Sequence, residues 1–282
     1  MRTFIIRTFS LIGIFVLSSI RLLASPQQSE LLIIQNDTIP LYQILLPSDL
    51  SKQLWDDHQD EMDIMDVLST GNWRGYRGIW ELADDALYLV GFQFGFGGLG
   101  LEQLFPDSVK DGRVLADWYS SKLIIPRGKV LRWDGVFYRT YTEEEHISFQ
   151  NGHVLSRKEV HNYVDLPEGI SRLAENPYSP YHEIAEVIFN QIVSVKTDWN
   201  ALDEQCWQGV MGDYTFIIGA NGRVKSVKDD LQKQSAVTRL FKRRLRGLRF
   251  DIIKFNGEPY EERILLSIDL NENANELEFY CY

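Results

Sequence analysis

The stretch Tyr-Thr-Phe-Ile-Ile-Gly-Ala-Asn-Gly-Arg-Val-Lys-Ser-Val, residues 214–227, decides how the last third of this chain folds. Two apolar runs flank Asn221-Gly222, and an Asn-Gly pair tolerates the positive backbone dihedrals that a tight hairpin requires. The pattern therefore predicts a β-hairpin. A helical stretch is expected next over Ser235 to Leu248, followed by a long final strand over Arg263 to Leu270. This part of the chain is predicted to be a compact β-β-α-β unit.

The predicted β-β-α-β unit resembles the carboxyl-terminal domain of TonB-like proteins. The resemblance rests on the order of the elements and on Asn256-Gly257-Glu258-Pro259, the turn before the final strand. It implies a domain that binds a partner protein by adding a partner peptide as a strand to an exposed sheet edge. The implied partner-binding strand, next to Tyr214 to Ile218, consists of Arg263, Ile264, Leu265, Leu266, Ser267 and Ile268.

The chain departs from the energy transducers of that family in three ways. Its amino terminus has the form of a cleavable leader, and it lacks a long Pro-rich spacer. Its tail, Leu277 to Tyr282, is apolar enough to form another strand, which could cover the edge that a partner would use. A membrane-anchored transducer therefore remains an alternative function.

Residues 1–24 are predicted to be a secretory signal peptide. Arg2 and Arg7 precede an uncharged apolar run over Phe9 to Ile20, and small residues follow at Ala24-Ser25. The run is shorter than the roughly 20 residues that a membrane-spanning helix needs. An uncleaved anchor is the alternative, and contact with a membrane is expected only through such an anchor. Cleavage would place the protein in the periplasm or at the outer membrane.

The net charge of the chain excludes one class of partner. Formal net charge is −11, and without residues 1–24, which hold three arginines and no acidic residue, it would be −14. A chain this acidic is repelled by nucleic acid, so no DNA or RNA partner is expected. The short basic cluster of Lys242, Arg243, Arg244, Arg246 and Arg249 is interpreted as the solvated face of a helix.

Composition and turn-forming Pro and Gly residues divide the rest of the chain into predicted domains. Residues 25–165 are predicted to form a β-rich, antiparallel domain with one helix over Ser48 to Leu68. A hairpin is expected around Asp84-Asp85, and Asn151-Gly152 is expected to turn the chain into a strand over His153 to Leu155. Gly71 to Leu82 and Ala116 to Tyr119 are similar to a family of uncharacterised bacterial proteins, which implies no activity. Residues 166–200 are predicted to be a linker with a helix, and 201–282 the TonB-like domain. The predicted fold class is α+β.

No motif predicts a catalytic, cofactor or metal site. Gly95 to Gly100 fits a dinucleotide pattern, yet only one helical turn fits before Pro106. The acids near His58 lack the order of a calcium loop, Glu143 to His146 is interpreted as a solvated turn, and a metal at His153 and His161 has no supporting pattern. A periplasmic hydrolase with its site near Trp73, Trp80 and Trp118 is another alternative function.

Two cysteines, Cys206 and Cys281, flank the carboxyl-terminal unit. They are too few for a structural zinc site. In an oxidising compartment they could form a disulfide, and two separate buried thiols are the alternative. Together these patterns predict an exported, non-catalytic bacterial protein that binds a protein partner.

Overall fold

The computed structural model describes residues 26–58, 70–93, 99–176, 179–193, 210–231, 233–271 and 276–281. Several predictions concern other residues. The signal peptide, Cys206, most of the glycine-rich segment before Gly100 and the second half of the helix expected over 48–68 lie outside the described residues.

Within the described ranges, the helices are α1 (Ser48–His58), α2 (Leu101–Leu104), α3 (His182–Val193) and α4 (Ala236–Arg244), and a 3-10 turn covers Leu245–Gly247. The strands are β1 (Glu30–Ile34), β2 (Asp37–Leu41), β3 (Arg77–Ala83), β4 (Ala86–Gln93), β5 (Val109–Lys110), β6 (Arg113–Leu115), β7 (Lys122–Pro126), β8 (Val130–Trp133), β9 (Arg139–Tyr141), β10 (Glu143–Gln150), β11 (His153–His161), β12 (Tyr163–Val164), β13 (Gly212–Ile218), β14 (Val224–Asp229), β15 (Ile252–Phe255), β16 (Glu258–Pro259), β17 (Glu262–Asn271) and β18 (Glu276–Cys281). The mixed α+β, strand-rich fold is as predicted.

The first half of the chain is built on one large sheet. Its main strand order is β2-β1-β3-β4-β11-β10-β7, and β5 and β6 join through β4. All of its pairs are antiparallel except β1–β3, which is parallel with Leu32 opposite Trp80. The expectation of a purely antiparallel domain is therefore wrong at this one pair. The parallel pair exists because the chain crosses over through α1 between the two strands, instead of turning back directly.

Tight turns join several neighbouring strands of this sheet. Asp84 and Asp85 have φ of 51° and 53°, and Asn151 and Gly152 have φ of 48° and 77°. Two successive positive φ values are the signature of the two-residue turns that match strand twist. The hairpins expected at Asp84-Asp85 and Asn151-Gly152 are confirmed. The strand after Asn151-Gly152 is longer than expected, because it runs for nine residues to His161.

The carboxyl-terminal sheet has the strand order β14-β13-β17-β18, and every pair is antiparallel. The expected succession of hairpin, helix and long strand is confirmed by β13, β14, α4 and β17. The hairpin itself differs from the expected form. Its loop has three residues between Gly219 and Arg223, whose backbones are hydrogen-bonded, and only Gly222 has a positive φ, of 76°. Such a loop bulges at the glycine instead of closing in two residues.

Helix α3 packs on the carboxyl-terminal sheet. Ile184, Ile188 and Ile192 recur at helical spacing and are buried in one apolar cluster with Phe216 and Leu266. The sequence did not indicate which half of the chain this helix joins. Residues 166–200 were predicted to be a linker with a helix. In the structure this helix, α3, is part of the second core. A separate apolar cluster, formed by residues between 32 and 149, fills the first half.

Backbone pairing connects the two halves. The short strand β12 pairs with β15, so Tyr163 lies opposite Ile253. The buried Asn162 donates from Nδ2 to the Tyr141 carbonyl (3.0 Å) and accepts at Oδ1 from the Gly257 N–H (2.9 Å). Because a buried amide that loses a partner is costly, these bonds hold the turn between β15 and β16 against the first half.

Candidate functional site

The predicted partner-binding strand lies inside the sheet. On one side, residues 262–268 of β17 pair with β13, and on the other side Leu266–Asn271 pair with β18. The side chains of Ile264, Leu266 and Ile268 are buried in the core, whereas Arg263 and Leu265 are exposed. Ser267 is half-buried on the same face as Arg263 and Leu265. While β18 is in place, residues Leu266 to Ile268 therefore present no free backbone edge.

The chain's own tail occupies that edge. In β18, Cys281 pairs with Leu266, Tyr280 with Ser267 and Phe279 with Ile268. The Phe279 ring lies 5.0 Å from the Phe189 ring and 5.4 Å from the His182 ring, so the tail also packs on α3. The prediction that the tail forms a strand against the final strand is confirmed. Over the described residues of the tail, which end at Cys281, pairing reaches Leu266 and leaves the Glu262 to Leu265 portion of β17 without a β18 partner.

The outer strands of the sheet differ in character. Edge strand β14 carries Lys225 and Lys228, and lysine on an edge opposes pairing with another chain. Strand β18 carries Leu277, Phe279 and Cys281, all of which pack against the apolar cluster. A segment that pairs with β17 is thus held both by backbone hydrogen bonds and by apolar side-chain contacts with the cluster. This is the arrangement by which strand addition gains affinity and specificity.

A buried ion cluster lies at the start of β17. The Arg132 guanidinium binds both Glu262 carboxylate oxygens, at 2.5 Å and 2.9 Å, and the Arg172 guanidinium donates to Oε2 of the same carboxylate. All three side chains are buried, with at most 8% of each exposed. Arg132 also donates to the carbonyls of Leu131 and Arg172, and Arg172 donates to the carbonyl of Asp251, whereas the buried Nε of Arg172 has no hydrogen-bond partner in the described part of the chain.

The cluster joins three parts of the chain around one carboxylate. Burial by itself would raise the pKa of Glu262, but the bonds and charges of Arg132 and Arg172 outweigh burial and lower it. Since both carboxylate oxygens are occupied by guanidinium groups, the cluster holds no free acid or base. No motif in the sequence singled out Glu262. The signal was present in the period-two pattern, because Glu262 lies on the inward face shared by Ile264 and Leu266, where a carboxylate needs partners.

The aromatic residues of the alternative hydrolase site do not surround one cavity. Trp80 and Trp118 pack in the first core with ring centroids 6.5 Å apart, whereas Trp73 is 65% exposed. The Trp80 indole N–H donates to Glu30 (3.0 Å), and Arg74 lies 2.7 Å from the other oxygen of this carboxylate. Burial raises the pKa of Glu30 despite the opposing charge of Arg74. The carboxylate is completely buried, so it has no route to a substrate in this conformation.

Glu143 to His146 is not a solvated turn. These residues begin β10, and the buried Glu144 carboxylate lies 2.7 Å from Nε2 of the buried His146. Its other oxygen accepts from the Tyr141 N–H at 2.9 Å. The interpretation was wrong because a run of acids resembles a loop in composition, whereas alternate residues of a strand face opposite sides. The pair is enclosed in the sheet and therefore acts as an internal hydrogen-bonded contact.

The two histidines considered for a metal lie far apart, and of the glycine-rich segment only Leu99 and Gly100 are described. His153 and His161 are the two ends of β11, about 26 Å apart at the usual rise of a strand. Within the described ranges, three or more His, Cys, Asp or Glu side chains nowhere assemble into a possible metal group. Helix α2, next to Gly100, has four residues, as its proximity to Pro106 predicted. In the same part of the chain, no helix has the length and apolar character needed to cross a bilayer.

The Cys206–Cys281 disulfide stays a prediction. Cys281 ends β18 and packs against the second apolar cluster, and its proposed partner lies outside the described residues.

Comparison of the chain with family models, with curated proteins and with solved structures found no match in any of the three. The resemblance to TonB-like domains therefore stays a prediction.

Proposed function

We propose that this chain is an exported, non-catalytic bacterial protein of the periplasm or outer membrane whose carboxyl-terminal sheet binds a protein partner as an added strand. The observation that supports the proposal is the position of the tail. Strand β18 is a short terminal segment that pairs with β17 and inserts Phe279 beside Phe189. The sheet thus accepts a peptide of this length, and a partner strand would take the place of the tail or extend its pairing towards Glu262.

The first prediction concerns strand addition in trans. A variant that lacks Leu277 to Tyr282 should bind a synthetic peptide of residues 276–282 with Cys281→Ser, because the peptide restores the pairing and the apolar contacts with the cluster. We expect micromolar affinity by fluorescence anisotropy of the labelled peptide. The intact chain should bind at least about 10-fold more weakly, because its own tail competes at a high effective concentration.

A matched control peptide carries Phe279→Ala. It should bind about 5–30-fold more weakly, because the phenyl ring that contacts Phe189 and His182 is lost. Circular dichroism and a cooperative melting transition establish that the truncated variant is folded. A folded truncated variant that ignores the peptide, or that binds both peptides equally, would contradict strand addition at β17.

A second variant tests the same edge in a full-length chain. Ser267 and Tyr280 lie directly opposite each other on the open face of the sheet, where cross-strand side chains are close together. Ser267→Cys with Tyr280→Cys, in a background of Cys206→Ser and Cys281→Ser, should lock the tail in place under oxidising conditions. Peptide binding should then appear only after reduction. Equal binding in both redox states would place the acceptor edge elsewhere.

A further inference from the structure

A groove beside α4 concentrates positive charge on an otherwise acidic chain. It has a volume of about 400 Å³ and lies between the helix and the start of β14. Five of its seven lining residues are cationic and none is acidic: Arg223, Val224, Gln234, Arg239, Lys242, Arg243 and Arg246. The chain as a whole has 40 acidic and 29 basic residues, so this concentration of cations opposes the overall balance.

Helical spacing places four of these cations on one face. Arg239, Lys242 and Arg243 lie in α4, and Arg246 lies in the 3-10 turn that follows it, so the four occupy positions i, i+3, i+4 and i+7. Phe241 and Leu245 are buried in the second core. The fifth cation, Arg223, comes from the β13–β14 hairpin loop. The basic run by itself indicated a solvated helix face, and the contribution of Arg223 depends on the tertiary structure.

One member of the basic run serves another purpose. Arg244 is half-buried, and its guanidinium donates to the carbonyl of Ile192 at 2.5 Å. It therefore satisfies the carboxyl end of α3, and it is not part of the groove. The expectation of a solvated face was wrong at this residue, because its side chain points towards the neighbouring helix.

Among the described residues, the groove cations lack acidic partners. Elsewhere in the described ranges, Arg113, Arg127 and Arg157 pair with exposed or half-buried carboxylates. Over the same ranges, none of the five groove cations lies within 4.0 Å of a carboxylate, and Arg239 donates only to the Gln234 carbonyl. Like charges at these helical spacings destabilise the helix by about 0.2–0.5 kcal/mol per pair. An anionic ligand would therefore supply the counter-charge that the five groove cations do not receive from the described residues.

The helix dipole explains only part of this pattern. Lys242 and Arg243 lie in the last turn of α4, where a cation is favourable. Arg239 lies in the amino-terminal half of the helix, where it gains nothing from the dipole, and Arg223 lies on a different element. A purely structural role therefore does not account for these two residues.

We propose that the groove binds a soluble small molecule that carries two or more phosphate groups. Four of the five cations are arginines, whose planar guanidinium groups match phosphate oxygens in pairs. From Arg239 to Arg246 the cations span about 10 Å along α4 and the 3-10 turn, which is long enough to contact two phosphate groups at once. A lipid surface is a poorer occupant, because the site is concave and the acidic remainder of the protein would be repelled by anionic headgroups.

The test uses inorganic tripolyphosphate as the probe and the full chain as the binder. Isothermal calorimetry at low salt should show saturable binding. The variant Arg239→Gln/Arg243→Gln should weaken this binding about 10–100-fold. A control variant with the same change in charge, Lys52→Gln/Lys158→Gln, alters exposed residues outside the groove and should change binding less than about 2-fold. All substituted side chains in this comparison are solvent-accessible, so both variants should keep the melting temperature of the parent.

Two further measurements identify the ligand class. Arg239→Lys/Arg243→Lys keeps the charge but loses the planar fork, and we expect affinity between those of the parent and the glutamine variant. Tetraglutamate should bind at least about 10-fold more weakly than tripolyphosphate. Four results would each overturn the proposal. They are the absence of tripolyphosphate binding, an equal loss of affinity in the control variant, equal binding of tetraglutamate, and binding only to phosphatidylglycerol vesicles. The groove lies beside β14, at the opposite end of the sheet from β18, so its test is independent of the strand-addition test.

Discussion

Glu262→Gln should lower the free energy of unfolding by about 3–5 kcal/mol, because it leaves two buried guanidinium groups without a counter-charge. The side chains of Arg132 and Arg172 are 8% and 0% exposed, so water cannot replace the lost carboxylate. Their carbonyl partners remain, but neutral acceptors do not compensate two charges. Urea denaturation monitored by tryptophan fluorescence provides the measurement.

The neighbouring residue is a matched control. Glu261 forms an ion pair with Lys225, but the two side chains are 46% and 61% exposed. Glu261→Gln removes the same charge from the adjacent position and should cost less than about 1 kcal/mol, because exposed pairs contribute little. Losses of similar size in the two variants would show that burial of the Glu262 cluster does not determine its contribution.

The difference between the parent protein and Glu262→Gln should also depend on pH. The pKa of Glu262 is lowered in the folded state from its ordinary value of 4.5, because the bonds and charges of the two arginines outweigh burial. A carboxylate with a lowered pKa stabilises the fold above its unfolded pKa, and this stabilisation is lost as pH falls through the folded value. The difference between the two proteins should therefore be constant near neutral pH and shrink below about pH 4.5. A difference that does not change in acid would contradict the role of the ionised carboxylate.

Gly222→Ala should lower the free energy of unfolding by about 2–5 kcal/mol. Gly222 has a φ of 76°, which strains any residue with a side chain, and a Cβ atom there would lie 2.0 Å from the carbonyl oxygen of Phe250. Phe250 is fully buried, and its N–H donates to the Gly222 carbonyl at 2.8 Å. The hairpin loop must therefore separate from the segment that follows α4. Thermal and urea unfolding measure the loss.

Gly257 is a control that separates the strain of a positive φ from the close approach to Phe250. Its φ is 87°, but an added Cβ atom would have only ordinary contact, 3.6 Å from Cγ1 of Val160. Gly257→Ala should therefore cost only the strain of a positive φ, about 1–2 kcal/mol. The excess loss in Gly222→Ala measures the close approach to Phe250. Equal losses would show that the backbone around Phe250 moves away without cost.

Local patterns were sufficient for most strands of the carboxyl-terminal unit. The apolar runs around Asn221-Gly222 and the apolar tail predicted strands that the structure contains, because strand formation depends on composition and alternation over a few residues. The same patterns misjudged the start of β10. Its three consecutive acids suggested solvent, but Glu144 is buried beside His146, and only the pairing of β10 with both neighbours encloses it.

For the candidate sites too, some features follow from local sequence patterns and others only from the tertiary structure. The sequence alone indicated that Arg263 to Ile268 form a strand and that the tail could lie beside it, because both are short-range properties of composition. Only the tertiary structure decided that Glu262 contacts Arg132 and Arg172, which lie 130 and 90 positions away in the chain. It also decided that Arg223 lines the same groove as the cations that begin at Arg239, 16 positions later. Contacts over such separations depend on how the elements pack, and no local pattern of residues indicates which distant side chain will lie in contact.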